Sequence, residues 1–182
     1  ALLTAWYPGC QGGNGIADVI FGDYNPAGRL PVSVPRSVGQ LPVYYSKRPA
    51  HNYVDCSETP LFAFGYGLSY TKFEYSDLSL EPGNGKDIYQ TVSFTVKNVG
   101  EKDGEEVAQL YINDEYSSVE TPHKLLKKFK RVSLKSGQSE RISFQLGFDD
   151  LSLFNMDLKE VVEPGTFVVM VGAASDDIRL ED

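Results

Sequence analysis

At 182 residues the chain is long enough for one ordinary domain plus a smaller piece, or for one large β domain. Hydrophobic residues make up 41% and charged residues 23%, a globular balance, and no apolar run approaches the roughly 20 residues that cross a bilayer as a helix. The formal net charge of −8 argues against nucleic acid, whose phosphates draw on concentrated positive charge.

The opening ALLTAWYPG is a short apolar run ending in an aromatic pair and a Pro-Gly break, the pattern of a buried parallel strand that ends in a loop. In QGGNGIADVIFGD, Ile16, Val19 and Ile20 fall at helical spacing, which predicts a short helix stopped by Gly22. A strand and one helix cannot bury their own apolar faces, so this piece reads as the tail of an α/β domain whose sheet lies upstream. The absence of an initiator Met and of a signal-peptide pattern agrees with that expectation.

Prolines 26, 31, 35, 42, 49 and 60 then exclude a continuous helix and favour extended chain. Tyrosines and phenylalanines crowd the same stretch, so it is expected to lie over a surface as a strap. From Phe73 the period changes to two: EYSDLSLEP, TVSFTVKNVG, EEVAQLYIND, FKRVSLK, SERISFQLG and TFVVMVGAAS are candidate strands, separated by turn signals. The fold class that follows is mainly β, a fibronectin type III-like sandwich preceded by an α/β remnant and a linker strap. The divisions are 1–35 for the remnant, 36–72 for the strap and 73–182 for the sandwich. Leu110, Ile112, Phe94, Val96, Phe144, Phe167 and Val169 are expected in its core.

Chemistry-bearing patterns are scarce. Cys10 and Cys56 lack metal-ligand spacing, and sequence does not say whether they pair; His51 and His123 have no CxxC or HExxH context, so neither metal nor cofactor is expected. The basic run His123 to Arg131 is broken by Leu125, Leu126 and Phe129 and reads as a solvated face. The carboxylate pairs Glu105–Glu106, Asp149–Asp150, Asp176–Asp177 and Asp55/Glu58 read as surface or turn residues, the first pair pointing to opposite faces of a strand.

The ordered series AWYPG, FGD-NP-GRLP, FGYGLSYT and EPG…VGAAS resembles glycoside hydrolase family 3, in particular its three-domain β-glucosidases, over essentially the whole chain. That resemblance implies a parent enzyme of the exo-acting, retaining β-glycosidase type, exported to the periplasm or beyond. Its Asp nucleophile and Glu acid/base would lie upstream of AWYPG, so no residue of this chain is expected to be catalytic and the piece alone is expected to be inactive. Retaining hydrolysis needs two carboxyl groups about 5 Å apart.

The partners implied are the upstream barrel and α/β domains, and an oligosaccharide or glycoside in the intact protein. No nucleic acid or membrane is expected, and exposed apolar groups favour self-association. Trp6, Tyr7, Arg48, His51 and Tyr53 are candidates for the substrate fringe. One departure stands out: the family shows Pro-Gly-Gln-Glu-Gly-Gly, where this chain has Pro8-Gly9-Cys10-Gln11-Gly12-Gly13, without the acidic residue. The competing reading is a free-standing binding module, which would carry an exposed aromatic platform on the sandwich.

Overall fold

The computed structural model describes residues 2–47, 54–55, 57–85 and 87–182. Helix α1 spans Gly12–Phe21 and ends at Gly22 in the left-handed conformation, as the periodicity and the glycine stop predict. Residues 2–9 form no strand, contrary to the expectation. A strand is held by hydrogen bonds to neighbours, and no described strand lies beside this run.

Nine strands follow among the described residues: β1 (Phe73–Pro82), β2 (Ile88–Asn98), β3 (Gly104–Asp114), β4 (Leu125–Leu134), β5 (Ser139–Gly147), β6 (Leu153–Phe154), β7 (Glu160–Val161), β8 (Phe167–Ala174) and β9 (Asp177–Glu181). One sheet has the order β1-β2-β5, the other β4-β3-β8-β9, and β6-β7 is a small hairpin. Strands β6, β7 and β9 were not anticipated; the first two are too short to show a period.

Alternation places Val92, Phe94 and Val96 of β2 and Ile142, Phe144 and Leu146 of β5 on one inner face. Ala108, Leu110 and Ile112 of β3, with Val132 and Leu134 of β4 and Val169 and Val171 of β8, form the opposing face. The predicted core residues lie there, Phe167 being only partly buried against it. The open sides are tied across: Lys130 pairs with Glu140 at 2.9 Å between β4 and β5. On the other side Arg179 of β9 donates to the Phe73 carbonyl at 2.7 Å.

Two acidic readings need correction. Glu106 is buried, because it shares the inner face of β3 with Ala108 and Leu110. Asp150 is also buried, in helix α2 (Phe148–Leu151), where it accepts the Gly147 N–H at 2.9 Å and pairs with Lys128 at 2.9 Å. The basic run meets the expectation only in part: Phe129 to Arg131 are exposed on β4, whereas residues 123–128 are half-buried, and Lys128, Lys130 and Arg131 each hold a carboxylate.

Candidate functional site

Strand β8 pairs with β3 only between Gln109 and Asp114, leaving the first half of β3 without a ladder partner on that side. The chain that leaves α1 comes back to this region, and the polar residues of the FGD-NP-GRLP stretch make the contacts.

Asn25 holds three segments at once. Its Oδ1 accepts the Ser69 hydroxyl at 3.0 Å and the Tyr70 N–H at 2.8 Å, and its Nδ2 donates to the Asp103 carbonyl at 3.0 Å. Tyr70 in turn donates its hydroxyl to the Val19 carbonyl of α1 at 2.7 Å and lies under the Lys102 ammonium. Tyr24 donates to Glu105 at 2.9 Å and accepts from Arg131 at 2.9 Å, while Arg131 also pairs directly with Glu105. The hydrogen bonds from Arg131 and then Tyr24 hold the Glu105 carboxyl below its ordinary range. Burial, with Glu105 beside it, pushes the Tyr24 phenol up.

At the centre Arg29 meets Glu106 at 2.8 Å, with side chains only 9% and 3% exposed. Glu106 also accepts the Val107 N–H at 2.9 Å. A buried carboxylate is tolerable only with such partners, since an uncompensated buried charge costs several kcal/mol. The Tyr75 ring stacks under Arg179 at 4.9 Å, and burial, with Glu106 nearby, pushes its phenol far up. The Tyr75 hydroxyl and Arg29 Nε are buried with no hydrogen-bond partner among the described residues.

The FAFGYGLSYT stretch closes the other end of the seam, on the outer face of β3. Phe64 stacks on Tyr45 at 4.3 Å, and Tyr45 meets Tyr111 edge-on at 6.0 Å. The Phe64 carbonyl accepts the Ser175 N–H at 2.9 Å, and Tyr111 donates to Gln109 at 2.6 Å. Gly65 has φ +83°, and a Cβ there would lie 2.3 Å from the Gln109 Oε1. At Gly67 a Cβ would lie 2.2 Å from the Gly28 carbonyl oxygen. The strap also pairs with residues 30–34, which precede it: the Leu30 N–H donates to the Tyr66 carbonyl at 2.9 Å, the Gly65 N–H to the Leu30 carbonyl at 2.8 Å and the Val34 N–H to the Phe62 carbonyl at 2.8 Å.

Of the candidate fringe residues, Trp6 and Tyr7 are 65% and 98% exposed, Trp6 with φ +49°. Neither joins the seam, and neither lines the apolar hollow between residues 3–8 and α1, which Leu3, Ala5, Pro8, Ile16 and Val19 enclose. Arg48, His51 and Tyr53 lie outside the described residues, as does Cys56, so a pairing with the exposed Cys10 is also outside them. Sequence reasoning does not single out the seam residues Asn25, Arg29 and Gln109, and it reads Glu106 as a surface carboxylate. Glu106 had a signal, since it breaks the apolar inner face of β3 and so demands a buried partner. The sandwich also exposes Tyr116, Phe129 and Phe154, aromatics that had been expected mainly in the strap. Among the described residues no group of three His, Cys, Asp or Glu could hold a metal ion.

A fibronectin type III-like sandwich, braced on its outer face by a strap that leads from helix α1, defines the class. Residues 106–175 match the Fibronectin type III-like domain, and residues 1–70 match the Glycosyl hydrolase family 3 C-terminal domain. The chain is 48% identical over 98% of its length to a β-xylosidase of Formosa agariphila, covering 26% of that protein. It is 43% identical over 98% of its length to the periplasmic β-glucosidase of Salmonella typhimurium, covering 25% of it. A solved β-glucosidase from Erythrobacter marinus superimposes with TM-score 0.90 at 42% identity, over 97% of this chain and 24% of that one. A Listeria innocua β-glucosidase in complex with isofagomine gives TM-score 0.88 at 35% identity, over 97% and 27%. The chain spans about a quarter of the length of these relatives. It belongs to glycoside hydrolase family 3 and corresponds to the C-terminal portion of its members.

Proposed function

We propose that the chain is the non-catalytic, scaffolding portion of an exo-acting β-glycosidase that releases terminal β-linked sugars with retention. Residues 1–35 are the end of an α/β domain, 36–72 the strap and 73–182 the sandwich. The β-glucosidase and β-xylosidase relatives support the substrate class, and the periplasmic relative supports export of the parent.

The observation that carries this reading is where the family's signature residues are spent. Tyr24, Asn25 and Arg29 hold the sandwich and the strap, in hydrogen bonds and ion pairs that leave them unavailable for chemistry. The carboxylates Glu105, Glu106 and Asp150 are likewise each committed to a cation. A retaining glycosidase needs two cooperating carboxyl groups about 5–5.5 Å apart. The exposed Leu2, Leu3, Trp6, Ile20 and Phe21 are the face that the rest of the α/β domain covers, with Trp6 and Tyr7 at the substrate fringe.

The test is to assay the chain, free of host glycosidases, on p-nitrophenyl β-glucoside and β-xyloside. No release above the uncatalysed rate is expected. Sustained turnover that tracks the purified chain overturns the reading.

A further inference from the structure

At the end of β3 far from Arg29 and Glu106, a groove of about 260 Å³ runs between the β3–β4 loop, β4 and the start of the β6–β7 hairpin. Its chemistry is mixed. Asp114 and Glu120 supply carboxylate acceptors, Ser152 a hydroxyl, Lys127 an ammonium, and Pro122 and Phe154 apolar walls. Phe154 is 64% exposed, so its ring face is open along the groove.

Lys127 is placed there by an irregularity in the ladder. Leu110 pairs with Lys128 and Tyr111 with Leu126, so Lys127 is the extra residue of a β-bulge. Bulges re-aim side chains and recur beside functional sites. The neighbouring Asp150 attracts Lys127 through space but makes its close contacts to Lys128 and to the Gly147 N–H, each at 2.9 Å. Glu163, near Asp114, is likewise taken by the Ser118 N–H at 2.8 Å and by its hydroxyl. The Lys127 ammonium has no hydrogen bond or ion pair among the described residues, and burial holds its pKa below the ordinary value. Its ammonium is therefore open to an acceptor from outside the chain, water or a ligand hydroxyl.

We infer that this groove binds the end of a neutral sugar chain, with one pyranose ring on the Phe154 face, its hydroxyls donating to Asp114 and Glu120 and accepting from Lys127. Three features select that ligand. Three carboxylates, Asp114, Glu120 and the Lys128-paired Asp150, against the one ammonium of the lining disfavour an anion, as does the chain's net charge of −8. The coexistence of donors and acceptors fits hydroxyl groups, which are both. The volume lies just below the range of about 300–1,000 Å³ usual for small-ligand pockets, which fits a single ring. The choice of sugar among neutral polyols rests on the glycosidase reading above.

The experiment is a titration of the isotopically labelled chain with cellobiose and with xylobiose, followed by amide chemical shifts. Saturable changes are expected at residues 114–127 and 150–154, with those near Tyr7 and α1 unmoved. Phe154→Ala weakens the apparent affinity about tenfold, the worth of one ring contact. Lys127→Met does so to a similar degree, with an unchanged melting temperature. Arg29→Met at the opposite end of β3 leaves the titration intact.

No saturable change with either disaccharide overturns the proposal, as does a wild-type titration in Phe154→Ala. Tighter binding of glucuronate than of glucose overturns it too, by making the groove an anion site. Any of these leaves the scaffolding reading standing, since that is judged by the hydrolysis assay.

Discussion

Val92, Phe94 and Val96 are sealed at 0% exposure between two sheets, whereas Tyr7 and Phe21, of the same apolar character, stand 98% and 81% exposed. The difference is the presence of an opposing layer. Strands β1, β2 and β5 face β3, β4 and β8 across a shared core, while α1 has no second layer against its apolar side among the described residues. Between these two regions lies the seam, where polar rather than apolar residues determine the fit. Apolar faces pack with many neighbours of suitable size, but the Arg29–Glu106 pair and the three contacts of Asn25 tolerate one register.

The contrast is most sharply tested in the sandwich. Phe94→Ala should cost about 3–5 kcal/mol, read as a lower denaturation midpoint; an unchanged midpoint would show that β2 does not carry the core. At the seam, Arg29→Met leaves Glu106 buried without its cation and should cost about 3 kcal/mol. Replacing both partners, Arg29→Met with Glu106→Met, should recover most of that loss, and a double variant no better than the single would remove the pair from the account.

Gly65→Val, with Gly67→Val, forces side chains into the Gln109 amide and the Gly28 carbonyl and should cost about 1–3 kcal/mol. Proteolytic cleavage between residues 60 and 72 should speed up, and equal resistance would count against the docked strap. On the exposed helix face, Ile20→Ser with Phe21→Ser should change stability by less than about 1 kcal/mol, while light scattering should report less self-association. A large loss of stability there would mean that the helix face is already covered.

The smallest expected effect concerns pH. The Glu105 carboxyl is held below its ordinary value of 4.5 by Arg131 and Tyr24, so it adds stability above that pH and loses it as the pH falls through its folded value. Glu105→Gln should therefore flatten the acid limb of the stability curve, by under about 1 kcal/mol for so accessible a pair. An acid limb identical to wild type would show that the triad contributes nothing.

Much of the sandwich was legible because a half-buried strand shows its period directly, as in Val92, Phe94 and Val96. Helix α1 was legible from Ile16 and Val19 with the glycine stop. The run 2–9 misled because an apolar segment states a need for neighbours without supplying them. The seam was hidden for a different reason. Arg29 and Glu106 lie 77 positions apart, and neither the charge nor the spacing of either residue names the other. The glycine and proline signature could be recognised as a family pattern, but what its polar members do became clear only when β3 was seen beside them.

The central claim is that these signature residues fasten the strap to the sandwich. Hydrogen exchange of wild type and Arg29→Met, resolved by residue, tests it most directly. The account predicts faster exchange at the Leu30 and Gly65 amides, whose bonds tie residue 30 to residues 65 and 66 beside Arg29, with the β2 and β5 amides of Phe94 and Ile142 still protected. Unchanged exchange at Leu30 and Gly65, or a loss spread equally over strap and sandwich, would contradict it.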